Sequence, residues 1–439
     1  MPEDFDRRIR ELPAVLGGPK AVGPVDEALF RWPIVTEEDE QAVLEVLRAG
    51  TMSQTDVTVR FESEYAAFQQ TRYALAHCNG TMALLAAMFA VGLGRGDELI
   101  SPSLTYWATA LPCFLLGATP VFADVDPVTL CVDARDVESR ITPRTRAIVV
   151  THYCGHPCDM DAILAVARRH GLKVIEDVSH AHGALYKGRR VGALGDVSAA
   201  SLMAAKSFPV GEGGMLCTDS REIYERAVAF AHYERTGDTL TLPRLKATAG
   251  LPLGGVKGRI NQTCSAMGRV QLKHYLPRIG EIQAGMNRFW DLLEGVPGLS
   301  AHRPPMHSGL TMGGWYNPLG HYRPEELHGL PVARFIEAVN VEGGRVGRGC
   351  NLLQHLHPVL NDADVFHDGK PTRIAFAGRD VRQGPGSLPV TESIPDRVFG
   401  IPWFKHDWAE PIAQFAAAYA KVALHAKELA EHFREKSSR

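Results

Sequence analysis

The chain has 439 residues, of which 45% are hydrophobic and 22% charged, and its formal net charge is −3. This length and composition are typical of a globular protein with a large and a small domain. There is no basic excess of the kind that nucleic-acid binding needs, and no apolar run reaches the length of a membrane span. The eight cysteines suggest no disulfide framework and the charged N-terminus lacks a secretory apolar core, so we expect a cytoplasmic protein.

The first part of the chain predicts a surface arm followed by two packed helices. Residues 1–26 are polar and read as the arm. Thr36 and Asp39 form a capping-box pattern that opens an amphipathic helix, which ends at Gly50. A second helix is indicated by aromatic residues at helical spacing, namely Phe61, Tyr65 and Phe68.

A short apolar strand at residues 74–78 runs into Asn79, Gly80 and Thr81, and an apolar helix follows. A strand, a glycine turn and a helix N-terminus make a phosphate site, because free backbone N–H groups and the positive end of the helix dipole face the anion. The alternative is a tight Asn-Gly turn with Thr81 as an ordinary helix cap.

Further buried strands are predicted at residues 98–101, 119–124, 146–151 and 172–175, separated by helical segments. Alternating strands and helices predict an α/β fold with a mainly parallel sheet covered on both faces. Asp159 or Asp161 is expected to cap the helix that ends at Gly171.

The loop from His152 to Cys158 contains four histidine or cysteine side chains, which are ligands that zinc favours. No second Cys/His cluster completes the pattern, so we predict no metal here.

The segment from residue 172 to residue 217 carries the chemistry. Its apolar strand ends in Glu176 and Asp177, and Lys206 follows among small and apolar residues. Desolvation favours the neutral amine of such a lysine, which can then act as a nucleophile and form a Schiff base. The glycines from Gly211 to Gly214 let the chain double back beside it. An aspartate for a pyridinium nitrogen and a lysine for an aldehyde are the pair that pyridoxal phosphate needs.

This segment reads E-D-x-x-H-A-x-G-A-x-Y-K-G-x-x-V-G, then S-x-x-x-x-K, then G-E-G-G-M, and it resembles the core of the DegT/DnrJ/EryC1/StrS family. These are fold-type I, pyridoxal-phosphate-dependent aminotransferases of sugars and cyclitols, and the resemblance covers most of residues 27–280. It implies a large cofactor-binding domain at 27–280 and a smaller α+β domain at 281–439, after the arm at 1–26.

The resemblance also implies roles for individual residues. Lys206 would carry the cofactor as an aldimine, Asp177 would pair with the pyridinium nitrogen, and His180 would orient the ring near its 3-oxygen. The cofactor phosphate would be held by Gly80, Thr81 and Ser201, and by Asn261 reaching across a dimer interface, so that a homodimer would share its active sites. The pattern P-x-x-T-[FYW]-x-A-T places the ring-stacking residue at Tyr106, with Trp107 as the neighbour that could be confused with it. Without the resemblance, Asn261 reads as a turn residue or helix cap.

The implied reaction is a ping-pong transfer of an amino group from glutamine or glutamate to a nucleotide-linked keto-sugar or a keto-cyclitol, in amino-sugar, aminocyclitol or antibiotic biosynthesis. One alternative is another reaction on the same cofactor, such as aminohydroxybenzoate-synthase-like aromatisation or elimination. A second is a non-enzymatic regulator, which the presence of Lys206 and Asp177 disfavours. A nicotinamide oxidoreductase is disfavoured because no G-x-G-x-x-G follows a strand.

Beyond residue 290 the sequence is less informative. A closing amphipathic helix is predicted over residues 412–429. Residues 302–322 have no periodicity, His182 is equally compatible with packing and with substrate contact, and Arg345, Arg348, His355 and His357 read more readily as solvated than as substrate ligands.

Overall fold

The computed structural model describes residues 2–437. The strands are β1 (Tyr73–His77), β2 (Glu98–Pro102), β3 (Thr119–Ala123), β4 (Thr145–Thr151), β5 (Lys173–Asp177), β6 (Leu185–Tyr186), β7 (Arg189–Arg190), β8 (Val197–Ser201), β9 (Gly214–Thr218), β10 (Leu299–Ala301), β11 (Leu319–Tyr322), β12 (Gly347–Arg348) and β13 (Val398–Gly400). The helices are α1 (Pro2–Arg10), α2 (Glu37–Ala49), α3 (Asp56–Gln69), α4 (Gly80–Ala90), α5 (Ala134–Ser139), α6 (Met160–His170), α7 (Arg221–Ala231), α8 (Thr236–Thr239), α9 (Pro243–Lys246), α10 (Gln262–Leu292), α11 (Val332–Val341), α12 (Pro358–Asn361), α13 (Pro389–Ser393), α14 (Ala409–Leu424) and α15 (Ala426–Ser437).

The large sheet has seven strands in the order β1-β9-β8-β5-β4-β2-β3. The pairs from β8 to β3 are parallel, and β9 runs antiparallel to both of its neighbours. Apolar residues on both faces of the sheet are buried under helices, which is why its strands read as continuous apolar runs. The predicted α/β class and mainly parallel sheet are confirmed, and the carboxyl ends of β1, β2, β4, β5 and β8 meet at one edge.

Local signals in the sequence explain several helix boundaries. The predicted capping box is confirmed, because Asp39 accepts hydrogen bonds from both the backbone N–H and the hydroxyl of Thr36. Of the two candidate caps before α6, Asp159 is the one that accepts the hydrogen bond from Ala162 N–H, at 3.2 Å. The predicted helix around Phe61 and Tyr65 is α3, with both rings buried.

The smaller sheet has the antiparallel order β10-β11-β13-β12. Its apolar face packs with α10, α11 and α14 around Trp290, Phe335, Phe399 and Tyr419. The prediction of one closing helix over residues 412–429 is wrong, because α14 ends at Leu424 and α15 starts at Ala426. The intervening His425 leaves helical geometry, with φ −103° and ψ 23°, and its ring donates a hydrogen bond to Lys421 O at 2.9 Å.

The N-terminal segment lies on the smaller sheet's side of the molecule. Helix α1 packs against α14, and Ala21 is fully buried. The buried Glu342 carboxylate accepts hydrogen bonds from Ala14 N–H and Ala21 N–H and pairs with the buried Lys421. These contacts hold the arm in place, since an unpaired buried carboxylate would be costly.

A segment after residue 350 returns to the large sheet. The Asp124 carboxylate, just after β3, accepts hydrogen bonds from the N–H groups of Val390 and Thr391 and from the Thr391 hydroxyl. The Gln383 amide donates to Phe122 O at 3.0 Å. Residues 383–391, which follow strands β10, β11 and β12 of the smaller sheet, therefore cover the β3 edge of the large sheet. Within residues 2–437, no helix is both long and apolar enough to cross a membrane.

Candidate functional site

The end of β5 presents two acidic side chains in opposite directions, because successive side chains of a strand alternate between faces. The Asp177 carboxylate accepts a hydrogen bond from the Thr109 hydroxyl at 2.7 Å and another from Ser179 N–H at 3.1 Å. The Thr109 hydroxyl belongs to a buried chain of hydroxyls with Thr105 and Thr151. Asp177 is buried and held in one orientation by these donors.

Glu176 faces the other side of the sheet and fixes the neighbouring loops. Its carboxylate accepts hydrogen bonds from the N–H groups of Gly192, Leu194 and Gly195, and it pairs with His152 at 3.0 Å. Burial raises the pKa of Glu176, but the His152 hydrogen bond and charge and the glycine N–H groups outweigh this and hold the pKa below its usual value. Both carboxylate oxygens of Glu176 are thus paired with the neighbouring loops. Of the two acidic residues, only Asp177 faces the candidate site.

Lys206 lies in the loop between β8 and β9, where the chain doubles back. Gly211 O accepts a hydrogen bond from Ala204 N–H, and Gly213 O accepts one from Leu202 N–H, both at 2.8 Å. The Lys206 side chain is buried, and its Nζ lies 4.0 Å from the ring centre of Tyr316. None of the ion pairs within residues 2–437 includes it.

Burial lowers the pKa of Lys206 to about 8, and the negative charge of Asp177 opposes part of that fall. A lysine with this pKa has on the order of a tenth of its amines unprotonated at pH 7, some hundredfold more than an ordinary lysine. The geometry therefore provides a nucleophilic amine close to neutral pH.

The turn before α4 passes close to the end of β8. A Cβ on Gly80 would lie 2.7 Å from both Cα and Cβ of Ser201, and a Cβ on Gly214 would lie 2.2 Å from Asn79 O. The Asn79 side chain caps the helix by accepting from Met82 N–H. The N–H groups of Gly80 and Thr81 start the helix, so they have no carbonyl partner within it. The result is a narrow, N–H-lined corner suited to an anion.

Two buried histidines follow Asp177 along the chain. His180 accepts a hydrogen bond from Cys154 N–H at its Nδ1, so its ring proton is on Nε2, and burial next to the charge of Lys206 keeps its pKa well below the usual value. His182 donates from Nε2 to Ser201 O at 2.8 Å, and its Nδ1 is buried without a partner. Burial lowers the pKa of His182 to about 4. His182 therefore supports the backbone of Ser201, whereas His180 keeps a donor N–H available.

The remaining candidate residues lie at the surface of the chain. Tyr106 and Trp107 are 49% and 46% exposed, with ring centres 5.1 Å apart. Burial raises the pKa of Tyr316, and the nearby Cys154 and Tyr106 raise it further. Asn261 is exposed and caps α10 by accepting from Thr263 N–H at 2.9 Å. A single chain does not bring Asn261 into the group around Lys206.

Several residues of this group were not singled out from the sequence. Thr109 is the last residue of the P-x-x-T-[FYW]-x-A-T pattern. That pattern does not indicate its hydrogen bond to Asp177, which only the structure shows. Trp32 donates from its indole to Lys206 O at 2.8 Å, and Tyr316 covers the Lys206 amine. Both come from segments without periodicity, and only the folded chain shows their contacts.

The loop that resembled a metal site is filled by internal hydrogen bonds. His152 pairs with Glu176, and its other ring nitrogen accepts from Cys158 N–H at 3.0 Å. The thiol of Cys158 donates to Thr151 O, and the thiol of Cys131 donates to His156 O. In the part of the chain that the structure describes, no three His, Cys, Asp or Glu side chains are grouped as a metal would require.

Comparison with known proteins gives the family of this chain. The model of the DegT/DnrJ/EryC1/StrS aminotransferase family matches residues 33–418. The chain belongs to this family. The resemblance seen in the motifs is confirmed, and the match extends well beyond residues 27–280 into the C-terminal part of the chain.

Several curated proteins are similar to this chain over part or most of its length. The chain is 46% identical over 197 residues to the spore coat polysaccharide biosynthesis protein SpsC of Bacillus subtilis, and 36% over 242 residues to the GDP-perosamine synthase of Escherichia coli O157:H7. These matches cover 45% and 55% of this chain but only 51% and 64% of those proteins. The L-glutamine:2-deoxy-scyllo-inosose aminotransferase of Streptoalloteichus tenebrarius is 33% identical over 326 residues, 71% of this chain and 75% of that protein.

Solved structures share the fold over nearly the whole chain. An aminotransferase from Psychrobacter cryohalolentis has a TM-score of 0.77 at 27% identity, with 91% of this chain and all of that chain covered. DesI, determined with its TDP-sugar product, has a TM-score of 0.76 at 26% identity over 96% and 98% of the two chains. 3-Amino-5-hydroxybenzoic acid synthase has 0.73 at 25% identity over 90% and 98%. These matches confirm the fold-type I class.

Members of the DegT/DnrJ/EryC1/StrS family use pyridoxal phosphate, and the residues of this chain fit that group. The close approach of Gly80 to Ser201 admits no side chain, and the N-terminus of α4 that begins there has free N–H groups suited to a phosphate. The Lys206 amine is buried without a carboxylate partner, and the Asp177 carboxylate is fixed at the same sheet edge. The aldehyde of the cofactor would match the Lys206 amine, its phosphate the N-terminus of α4, and its pyridinium nitrogen the Asp177 carboxylate.

Proposed function

We propose that this protein is a pyridoxal-phosphate-dependent aminotransferase that moves an amino group from glutamine or glutamate to a ketone of a sugar or cyclitol. The observation that carries the proposal is the buried Lys206 amine, which lies at the same sheet edge as the fixed Asp177 carboxylate and the open N-terminus of α4. Membership of the aminotransferase family supports the same reaction type.

The cofactor, when bound, supplies an aldehyde for the amine and a ring that withdraws electrons from the reacting carbon. Lys206 would hold the aldehyde, and its free amine would move a proton at the donor's Cα. Asp177, whose carboxylate is held in place by Thr109 and Ser179, would pair with the protonated pyridine nitrogen. His180 would donate its Nε2 proton to the ring's 3-oxygen.

Phosphate binding is assigned to Gly80 and Thr81 through their free N–H groups, and to Ser201, which touches the same corner. Tyr106 is assigned to stack on the ring, as the family pattern implies. Donors at a helix N-terminus favour a dianion over a neutral ligand, so the same corner would select the phosphorylated form of the cofactor.

The donor and the acceptor class are supported by the names of the relatives. One relative is a GDP-perosamine synthase and another is an L-glutamine:2-deoxy-scyllo-inosose aminotransferase. Both a nucleotide-linked keto-sugar and a keto-cyclitol are therefore proposed as acceptor classes. The pathway, amino-sugar, aminocyclitol or antibiotic biosynthesis, and the cytoplasmic setting stay predictions.

We also propose a homodimer with shared sites. Tyr106 and Trp107, which follow strand β2 at the same sheet edge as Asp177, expose about half of their surface. Asn261 is exposed next to the segment whose Gly258 O accepts a hydrogen bond from Cys78 N–H. Large exposed aromatic rings at a site are typical of surfaces that a partner covers. Sedimentation of the protein at micromolar concentration should give a dimer, and a monomer with full cofactor occupancy would refute the shared site.

The test of function is the absorbance spectrum of the purified protein with pyridoxal phosphate, before and after glutamine or glutamate. We expect a yellow band that the donor bleaches, and that returns when a keto-sugar or keto-cyclitol is added. A band that neither donor bleaches would refute the proposed amino transfer from these two donors. Absence of the band after reconstitution would refute the cofactor assignment itself.

A second candidate is aromatisation, which the similarity to 3-amino-5-hydroxybenzoic acid synthase favours. The two functions differ in their response to the donor. An aromatising enzyme would release an ultraviolet-absorbing product from a cyclic ketone that carries an amino group, with no net consumption of glutamine or glutamate. Stoichiometric conversion of the donor to its keto acid would support the aminotransferase.

A further inference from the structure

Tyr316 lies in a segment that is held tightly against the lysine loop. A Cβ on Gly313 would lie 2.3 Å from His182 O, and a Cβ on Gly314 would lie 2.4 Å from the Ser207 side chain. Gly314 N–H donates to His182 O at 3.1 Å. Only glycine permits this approach at these two positions, so the chain reaches Tyr316 by a fixed route.

A tryptophan from the far end of the chain secures the same segment. The Trp403 indole donates to Gly314 O at 3.0 Å, and its ring makes an edge contact with Tyr316 at 5.9 Å between centres. On the other side, the ring of Tyr316 lies 4.9 Å from that of His180. The position of the tyrosine ring is therefore defined by its backbone and by two neighbouring rings.

The lysine is fixed independently. The Trp32 indole donates to Lys206 O at 2.8 Å, and Lys206 N–H donates to Met203 O at 2.8 Å. With both backbones held, the Nζ of Lys206 lies 4.0 Å from the centre of the Tyr316 ring. A ring face attracts an ammonium group at this distance, because the face of the ring is the negative side of its quadrupole.

We infer that Tyr316 is a positioning residue of the lysine site, and that its ring face, rather than its hydroxyl, holds the charged amine of Lys206. The inference rests on the proposed function only in taking Lys206 as the cofactor lysine. None of the hydrogen bonds described for residues 2–437 involves the Lys206 ammonium, so the ring face is its nearest defined support. Trp403 contributes by fixing the backbone from which the ring projects.

The test compares Tyr316→Leu with Tyr316→Phe and uses the apoprotein. The rate at which added pyridoxal phosphate gives the yellow band is measured from pH 6 to 10, which reports the pKa of the Lys206 amine. Removing the ring face destabilises the ammonium, so Tyr316→Leu should lower that pKa by about one unit. Tyr316→Phe keeps the face and should give the wild-type profile.

Several outcomes would overturn the inference. A Tyr316→Phe profile that matches Tyr316→Leu would assign the effect to the hydroxyl, and an unchanged Tyr316→Leu profile would show that the ring does not act on the amine. If Tyr316→Leu does not fold, Trp403→Phe, which removes the indole donor to Gly314 and keeps an aromatic ring at that position, should also lower the pKa, by a smaller amount. No shift in that variant would likewise contradict the inference.

The failure of this inference is distinguishable from failure of the proposed function. A wild-type protein that forms the band while the variants leave its pH profile unchanged would remove only the role of Tyr316. A wild-type protein that never forms the band would remove the proposed function.

Discussion

Gly80→Ala tests whether the corner between α4 and β8 binds the cofactor phosphate. The added methyl would lie 2.7 Å from Cα and Cβ of Ser201 and 2.9 Å from its nitrogen. Ordinary contacts between carbon atoms are about 3.5–4.0 Å, so the two backbones must separate by about 1 Å. Overpacking of this kind costs about 1–3 kcal/mol, whereas the higher helix propensity of alanine returns at most about 1 kcal/mol.

The two effects have opposite signs, and the collision is the larger. Because separating the two backbones moves the Gly80 N–H from its place in the corner, we expect a weaker bond to the phosphate, worth about 1.5 kcal/mol of binding free energy, and hence a roughly tenfold higher dissociation constant for pyridoxal phosphate. Titration of the apoprotein, followed by absorbance, measures this, and thermal unfolding of the apoprotein records any general loss of stability.

Gly94→Ala is the matched control. Its Cβ would have no heavy atom within 4 Å, and Gly94 is not among the glycines with positive φ. It should leave both cofactor affinity and thermal stability unchanged. Wild-type affinity and stability for Gly80→Ala would refute the importance of the close approach, because the collision would then cost no more than helix propensity returns.

Three further predictions concern the two charged groups of the site. Lys206→Ala should abolish the yellow cofactor band, whereas Lys405→Ala, which removes another buried lysine, should keep it; a band in the first variant would contradict the assignment. Asp177→Asn should still bind cofactor but slow the half-reaction with the donor by roughly a hundredfold, measured by stopped-flow absorbance. The rate of cofactor uptake by the apoprotein should rise about tenfold per pH unit up to about pH 8 and then level, because Lys206 loses its proton there; a rise continuing to pH 10 would refute the lowered pKa.

The parts of the site that the sequence could predict are those built from consecutive residues. Asp177 ends an apolar strand, and the turn at Gly80 lies between a strand and a helix, so each could be placed at the edge of a parallel sheet. The sheet then brings the two together, because parallel strands end on the same side. Their pairing with Lys206 followed from the family resemblance rather than from spacing.

The parts that could not be predicted depend on contacts between distant segments. Tyr316 follows Trp315 and precedes Asn317, which have φ of 52° each, and such a path carries no hydrophobic periodicity. Trp32 and Trp403 act through single hydrogen bonds to backbone carbonyls, Lys206 O and Gly314 O. Nothing in the local sequence distinguishes such a tryptophan from one that simply packs in a core.

The break between α14 and α15 at His425 is another feature that the sequence pattern did not predict. The apolar positions from Ile412 to Leu429 suit one continuous helix. The side chains that give this pattern are buried, namely Ile412, Phe415, Tyr419, Val422, Ala426 and Leu429. Lys421 O accepts hydrogen bonds from both the backbone N–H and the ring of His425, so this carbonyl stays paired where the backbone leaves helical geometry. The hydrophobic pattern of a sequence indicates which residues are buried, but it does not indicate whether the helix is continuous.

Groups from both the large-sheet side and the small-sheet side of the molecule surround the Lys206 amine. The loop between β8 and β9 removes the amine from water and lowers its pKa, and Asp177 at the end of β5 opposes this with its charge. The ring of Tyr316 comes from the chain just before β11 of the small sheet and is secured by Trp403, just after β13. A shift of the small sheet relative to the large one would move the ring without moving Asp177. A movement of the small sheet would therefore change the surroundings of the amine through Tyr316. Substitutions of Trp403 should change the pH profile of Lys206 even though Trp403 does not touch the amine.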